Sequence, residues 1–252
     1  MTLTTDAFPT ETQLRDLMEA LLINQDTLNR KSYDSTWVAK AISGEFDYPL
    51  AAAFEIIEFG NSWNQWNWWT KGAISEHDAL NMKVELVDAL HFILSDILVA
   101  YSGNIQTAAM ETSMGLLMVQ RSLPIFEDQN QERDAIKRLI KDLIGYGSTS
   151  GHATQNVSCR ALLSLYRLAI YASQLGFRQF AAMYRAKSVL NRFRQDNGYK
   201  QKKYTKMWAE GLEDNHVLMG WIAEQPAAPK DEEIYQFLTS KYAYVQAEKA
   251  RS

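Results

Sequence analysis

The chain has 252 residues, 46% of them apolar and 22% charged, a size and balance that suit a folded globular protein with a sizeable core and exclude a disordered one. A formal net charge of -4 leaves no global basic field to recruit nucleic acid or an anionic membrane, so any anion site must be local. The single cysteine, Cys159, can neither staple the fold nor build a thiolate metal site, and no apolar run approaches the roughly 20 residues that span a bilayer.

Five prolines and twelve glycines leave long segments whose apolar residues recur near every 3.6 positions. That pattern predicts an all-α multi-helix bundle. One domain over residues 1–252 is expected, with 224–252 as a C-terminal helical extension. The first helix opens after Pro9 with a Thr10…Gln13 capping box and buries Leu14, Leu17, Met18, Leu21, Leu22 and Leu28. Its C-terminal half places Gln25 and Asn29 one turn apart. A second helix is expected over about 48–60, and a third from Ser75, with Asp78 in the capping-box position, to about 101. Further helical patterns cover about 104–121, 131–144, 153–174, 178–196 and 231–249, separated by GYGSTSG at 145–151 and EQPAAPK at 224–230. No segment alternates long enough to predict a strand.

The third helix has its main apolar face at Leu80, Val84, Val87, Leu90, Leu94 and Ile97. A second stripe, Asn81, Glu85, Asp88 and Ser95, is hemmed in by Leu86, Ile93 and Leu98. Carboxylates seldom occupy such ground unless paired or metal-bound, because desolvating an ion costs several kcal/mol, by rough estimate, or forces its pKa up. The second helix repeats the arrangement with Glu55 and Glu58 among Ala53, Phe54, Ile56, Ile57 and Phe59. Most E-x-x-E pairs on helices are solvated surface charge. Two such pairs in apolar surroundings instead suggest four carboxylates around divalent cations, and an all-oxygen donor set favours Mg²⁺, with Mn²⁺ as the alternative. Asp88-x-x-His91 has the spacing of an iron ligand pair in ferritin-like bundles, but the second such motif is missing. His91 is therefore expected as a hydrogen-bonded histidine behind the metal ligands or in the core.

Residues 185–206, RAKSVLNRFRQDNGYKQKKYTK, hold eight basic residues and one acid in a net acidic chain. Lys187, Asn191 and Arg194 share a helical face, Asn197-Gly198 offers a left-handed stop, and Lys200, Lys203 and Lys206 follow. Arginine forks and mobile lysines suit a polyphosphate. Two rival readings are a solvated helix face and a single-stranded nucleic-acid surface with Phe193, Tyr199 and Tyr204 as stacking platforms.

Taken in order, LLINQDTLN (21–29), EIIE (55–58), WNWWTK (66–71), VELVDALHF (84–92) and VLNRFRQDNGYKQKKYTKMWAEGLEDN (189–215) resemble the dimeric, all-α dUTP pyrophosphatases, relatives of the MazG-type nucleotide pyrophosphatases. The resemblance implies a homodimeric enzyme that cleaves dUTP between the α- and β-phosphates to dUMP and pyrophosphate, with dUDP left open as a substrate. Glu55, Glu58, Glu85 and Asp88 would be the magnesium ligands, and Glu55 would also orient or deprotonate the attacking water. Lys187, Arg194 and Lys200, with Asn215, would hold the phosphates; Gln25, Asn29, Trp66 and Tyr199 would contact base and sugar. A dCTP/dUTP or other nucleoside triphosphate pyrophosphatase on the same scaffold is the alternative. Uracil and cytosine differ in hydrogen-bond polarity at one carbonyl and the ring nitrogen, and an amide can present either face, so Gln25 and Asn29 alone do not select between them. With no signal-peptide pattern in MTLTTDAFPTET, a cytoplasmic location is expected, that of the host for a phage-encoded chain. No stable nucleic-acid complex and no membrane partner are expected.

Overall fold

Thr10 caps the first helix with the reciprocal bonds that the sequence predicts: its hydroxyl accepts from the Gln13 amide, and the Gln13 side chain accepts from the Thr10 amide. In this computed structural model, residues 9–67, 69, 72–149, 151–209, 211–225 and 228–249 are described; Trp68, Thr70 and Lys71 of the tryptophan stretch lie outside them. The described residues are all-α with one short hairpin. They form α1 (Glu11–Ser32), α2 (Trp37–Ile42), α3 (Tyr48–Trp63), α4 (Glu76–Ala100), α5 (Ile105–Arg121), α6 (Gln129–Tyr146), α7 (Gln155–Ser173), α8 (Phe177–Asp196), β1 (Met207–Ala209), β2 (Leu212–Glu213), α9 (Asp214–Ala223) and α10 (Asp231–Lys249). Neither α2 and α9 nor the hairpin is predicted from the sequence. At six residues α2 is too short to establish a 3.6-residue period, and the two strands, of three and two residues, are too short to alternate.

Chain contacts divide the protein into two compact units, residues 1–181 and 182–252. In the first, α4 packs against α1, α2, α3, α5 and α7. Val84, Val87, Leu90, Leu94 and Ile97 of its predicted apolar face are at most 2% exposed. Complete burial of each is worth about 1.5–3 kcal/mol, which fixes the rotation of α4 about its axis and therefore where its polar stripe points. Gly147, at the end of α6, lets that helix approach α3 closely; a Cβ there would lie 2.4 Å from the Ala53 Cβ. Asp96 ties several elements together. Its side chain is fully buried and accepts from the Tyr146 hydroxyl (2.7 Å), the Ser158 hydroxyl (2.6 Å) and the Ala153 amide (3.1 Å), so α4 is pinned to α6, α7 and the segment between them.

The second unit is built on α8 from Ala182 onward. Val189, Leu190 and Phe193 of α8 share a core with Trp208, Leu218 and three residues of α10: Ile234, Leu238 and Val245. The Phe193 ring meets Tyr204, Trp208, Tyr235 and Tyr242 edge-on, with centroids 5.3–6.2 Å away. Asn197-Gly198 ends α8 as the sequence predicts, Gly198 taking φ +84°, where a side chain would be strained.

Candidate active site

The α4 polar stripe faces α3 and α1 group by group. At its start, the Asn81 amide donates to the Ser62 hydroxyl (2.8 Å). One turn on, the carboxylates of Glu55 and Glu58 from α3 and Glu85 from α4 come within 4.8 Å of one another. Glu85 is buried, Glu55 half-buried and Glu58 exposed, so the cluster runs from core to solvent. Asp88 falls outside this trio but stands close enough for its charge to act on Glu55. The Glu55 carboxyl is pushed up to about 8 by burial, then by the charge of Asp88, a hydrogen bond with Glu85 and the charges of Glu85 and Glu58. These are hard oxygen donors whose mutual repulsion a proton or a cation relieves. The donor set fits Mg²⁺ or Mn²⁺.

Further along α4, His91 and Ser95 meet the α1 amides. Gln25 Nε2 donates to Asn29 Oδ1 (2.9 Å) and Ser95 Oγ (3.0 Å), while Asn29 Nδ2 donates to the same Ser95 Oγ (3.0 Å). His91 Nδ1 lies 2.8 Å from Gln25 Oε1, so the ring is hydrogen-bonded, and it is not part of the acidic trio. All four side chains are buried, so the amides suggested as base contacts are held in place before any ligand arrives. Trp63 is core, at 2% exposed; after Asn64 closes α3 in the left-handed region (φ 52°), Trp66 and Trp69 stand outside it. Their rings meet edge-to-face at 5.4 Å and are 42% and 60% exposed, which leaves aromatic surface for stacking.

In the second unit, Arg194 directs its fork at Asp214: Nε to Oδ2 at 2.9 Å and Nη2 to Oδ1 at 2.6 Å. Nη2 also donates to Asn215 Oδ1 (3.0 Å), and the Tyr204 hydroxyl completes Asp214 from the other side (2.7 Å). Two residues suggested as phosphate contacts are thus joined to each other and to an acid that the basic pattern of the sequence hides. Lys187 is buried, Lys200 and Tyr199 are exposed, and the Lys206 ammonium sits 5.8 Å over the Tyr199 ring. Breaking the buried Arg194–Asp214 pair leaves an uncompensated charge. Arg194→Ala is expected to lower stability by about 3 kcal/mol, read from the shift in urea midpoint; a loss confined to nucleotide affinity would contradict a structural pair.

A family model described as dUTPase matches residues 17–199, well over half of the chain. The chain belongs to the dUTPase family. No curated protein matches it.

The dUTPase match takes in both α1 amides, all four carboxylates, Trp66, Lys187, Arg194 and Tyr199, and stops before Lys200 and Asn215. The family hydrolyses dUTP and generally uses a divalent metal, which agrees with the donor chemistry of the acidic cluster. Reading the sequence alone misses Asp214 and Asp96, each an acid whose side-chain partners lie at least ten residues away.

The raised Glu55 value has a consequence for pH. Between the ordinary carboxylate range and about 8, the folded dUTPase holds a proton that the unfolded chain has lost, so metal-free stability falls as pH rises through that window. A divalent ion must displace this proton and binds more tightly toward the window's upper end. Mg²⁺ is expected to raise the melting temperature more near pH 8 than near pH 6; equal shifts would contradict the cluster as the binding site.

Proposed function

We propose that this dUTPase is a Mg²⁺-dependent dUTP pyrophosphohydrolase, with Mn²⁺ as a substitute ion, acting in the cytoplasm on the deoxynucleotide pool. The meeting of three carboxylates from two helices within 4.8 Å is the observation that carries the reading. Glu55, Glu58, Glu85 and Asp88 hold the metal, which when bound supplies positive charge to the polyphosphate and lowers the pKa of water. Glu55 orients the attacking water and takes its proton; attack at the α-phosphorus releases pyrophosphate. Gln25 and Asn29 hold the base, Trp66 stacks on it, and Tyr199 contacts base or sugar. Lys187, Arg194, Lys200 and Asn215 serve the phosphates, a role that rests on the resemblance of their motif. The test is kcat/KM for dUTP, dCTP, dTTP and UTP with Mg²⁺: a clear dUTP preference supports it, and inactivity across the panel sinks it.

The same reading includes a homodimer. Support comes from apolar side chains left exposed at helical spacing: Leu50, Phe54 and Ile57 on α3, and Met110, Met114 and Met118 on α5. Met114→Asp is expected to shift the protein to monomer in sedimentation experiments, with the α-helical signal intact. An unaltered sedimentation coefficient would remove the α5 face from the interface.

A further inference from the structure

The lysine-rich loop after α8 leans on α10. Residues 199–206, YKQKKYTK, carry four lysines and no acid, so their charges repel one another. The first turn of the loop is closed by its own backbone: Gln201 and Lys203 donate to the Gly198 carbonyl and Lys202 to that of Tyr199, at 3.0–3.1 Å. Lys202 takes φ 56° there, a region that a lysine seldom adopts. From Tyr204 onward α10 takes over. The Tyr242 ring stacks on the Tyr204 ring, centroids 4.9 Å apart and planes 23° from parallel. Its hydroxyl oxygen accepts from the Thr205 amide at 3.4 Å, and the Lys249 ammonium donates to the Thr205 hydroxyl at 2.7 Å. The Thr205 carbonyl accepts from the Trp208 indole at 3.1 Å, so each polar group of Thr205 has a partner and α10 supplies two of them. The spacing of α10 explains why it can do so. Leu238, Tyr242, Val245 and Lys249 follow steps of four, three and four and share one face, and Ile234, Leu238 and Val245 anchor that helix in the core at no more than 5% exposed.

We propose that Tyr242 is a positioning residue for the triphosphate, holding the lysine loop and, through Tyr204, the Arg194 fork in place before the substrate arrives. The proposal rests on the reading that Lys200 and Arg194 serve the phosphates. Tyr204, fixed by the stack, donates its hydroxyl to Asp214 Oδ2 (2.7 Å), and the same carboxylate takes both arms of the Arg194 fork. Thr205, fixed by α10, ends the lysine run beside Lys206, whose carbonyl accepts from the Asp214 amide at 2.8 Å. One ring of α10 therefore bears on the cations of the loop and on that of α8. The helix that carries it lies beyond residues 17–199, the part of the chain that the dUTPase family model matches. Ordering a mobile, self-repelling loop during binding would subtract from affinity, and a loop already held in place avoids that loss. Tyr242 acts on the grip of the phosphate chain and not on the attack of water, so its effect falls on KM and leaves kcat alone.

The test is dUTP hydrolysis by the full-length protein with excess Mg²⁺, inhibited by inorganic pyrophosphate or by deoxyuridine, for wild type, Tyr242→Phe and Tyr242→Leu. Phenylalanine keeps the stack and loses only the long bond to Thr205; leucine keeps apolar bulk and loses the stack. In Tyr242→Leu the KM for dUTP and the inhibition constant of pyrophosphate are expected to rise about tenfold, with kcat and deoxyuridine inhibition changed by less than about twofold. Tyr242→Phe is expected to stay within about threefold of wild type. A merely structural role would lower the folded fraction, and with it the apparent kcat, without separating the two inhibitors. Unchanged pyrophosphate inhibition in Tyr242→Leu, or equal weakening of both inhibitors, overturns the role of Tyr242 and leaves the dUTPase reading standing, as does a Tyr242→Phe protein no better than Tyr242→Leu. Wild-type protein that turns over no dUTP overturns both. Independently of any variant, the Thr205 amide of the ligand-free wild type is expected to exchange its hydrogen at least about tenfold more slowly than an unstructured chain. Exchange at the unstructured rate overturns the brace.

Discussion

Glu55→Gln is expected to lower kcat for dUTP by about a thousandfold or more, while making the metal-free protein more stable near pH 8. Glutamine keeps the volume and one acceptor oxygen. It cannot take a proton from water, and it removes one charge from the cage that holds the metal. The same substitution relieves a strain of the metal-free state, in which Glu55 is half-buried beside Asp88, Glu85 and Glu58 and keeps its proton up to about 8. Toward and above that pH the folded protein must either retain the proton or bring a further charge into the cluster, and glutamine avoids both. Near pH 5, where the proton is already present, the exchange is close to neutral. Lost activity combined with a pH-dependent gain in melting temperature cannot come from a misfolded variant. A loss of stability at both pH values would contradict the placing of Glu55 among like charges.

The largest effect on stability is expected at Asp96. Asp96→Ala leaves the Tyr146 hydroxyl and the Ala153 amide as donors facing a cavity at a point of α4 with no access to solvent, and returns the Ser158 hydroxyl to the Thr154 carbonyl alone. Each unsatisfied buried donor costs about 1–3 kcal/mol, so the two together are expected to cost about 2–5 kcal/mol after relaxation, read as a lower urea midpoint. Asp96→Asn keeps one oxygen to accept but turns its NH₂ toward a donor, and should lose less. Activity should follow stability here: Asp96 adjoins Ser95 in sequence, and its three bonds hold α4 where the carboxylates of α3 and the amides of α1 meet it. An Asp96→Ala protein as stable as wild type would mean that α4 is fixed by apolar packing alone.

Most of the helical framework was legible because its signals are local. Thr10…Gln13 and Ser75 announce the starts of α1 and α4, and the 3.6-residue spacing of Val84, Val87, Leu90, Leu94 and Ile97 fixes which side of α4 is buried. The stripe Asn81, Glu85, Asp88, Ser95 was legible as polar residues among apolar ones, and it faces Ser62, the α3 glutamates and the α1 amides in turn. Its partners were not legible, because Ser95 and Asn29 are 66 residues apart and only the packing of α1 on α4 joins them. Asp96 lies one residue, about 100° of helix, away from the stripe, inside the apolar run SDILVA; its bonds reach across 50 to 62 residues. Arg194 was legible as charge and as part of a motif. That its fork rests on Asp214 depends on the loop and hairpin between α8 and α9, which bring α9 back to α8, and no period or composition encodes that path.

The most direct measurement is product analysis of dUTP incubated with the purified protein, with Mg²⁺ present or with the metal chelated. Cleavage by the carboxylate cage gives dUMP and pyrophosphate in equal amounts, only when the divalent ion is present. Release of inorganic phosphate with dUDP, turnover that survives chelation, or no turnover of dUTP at all would contradict it.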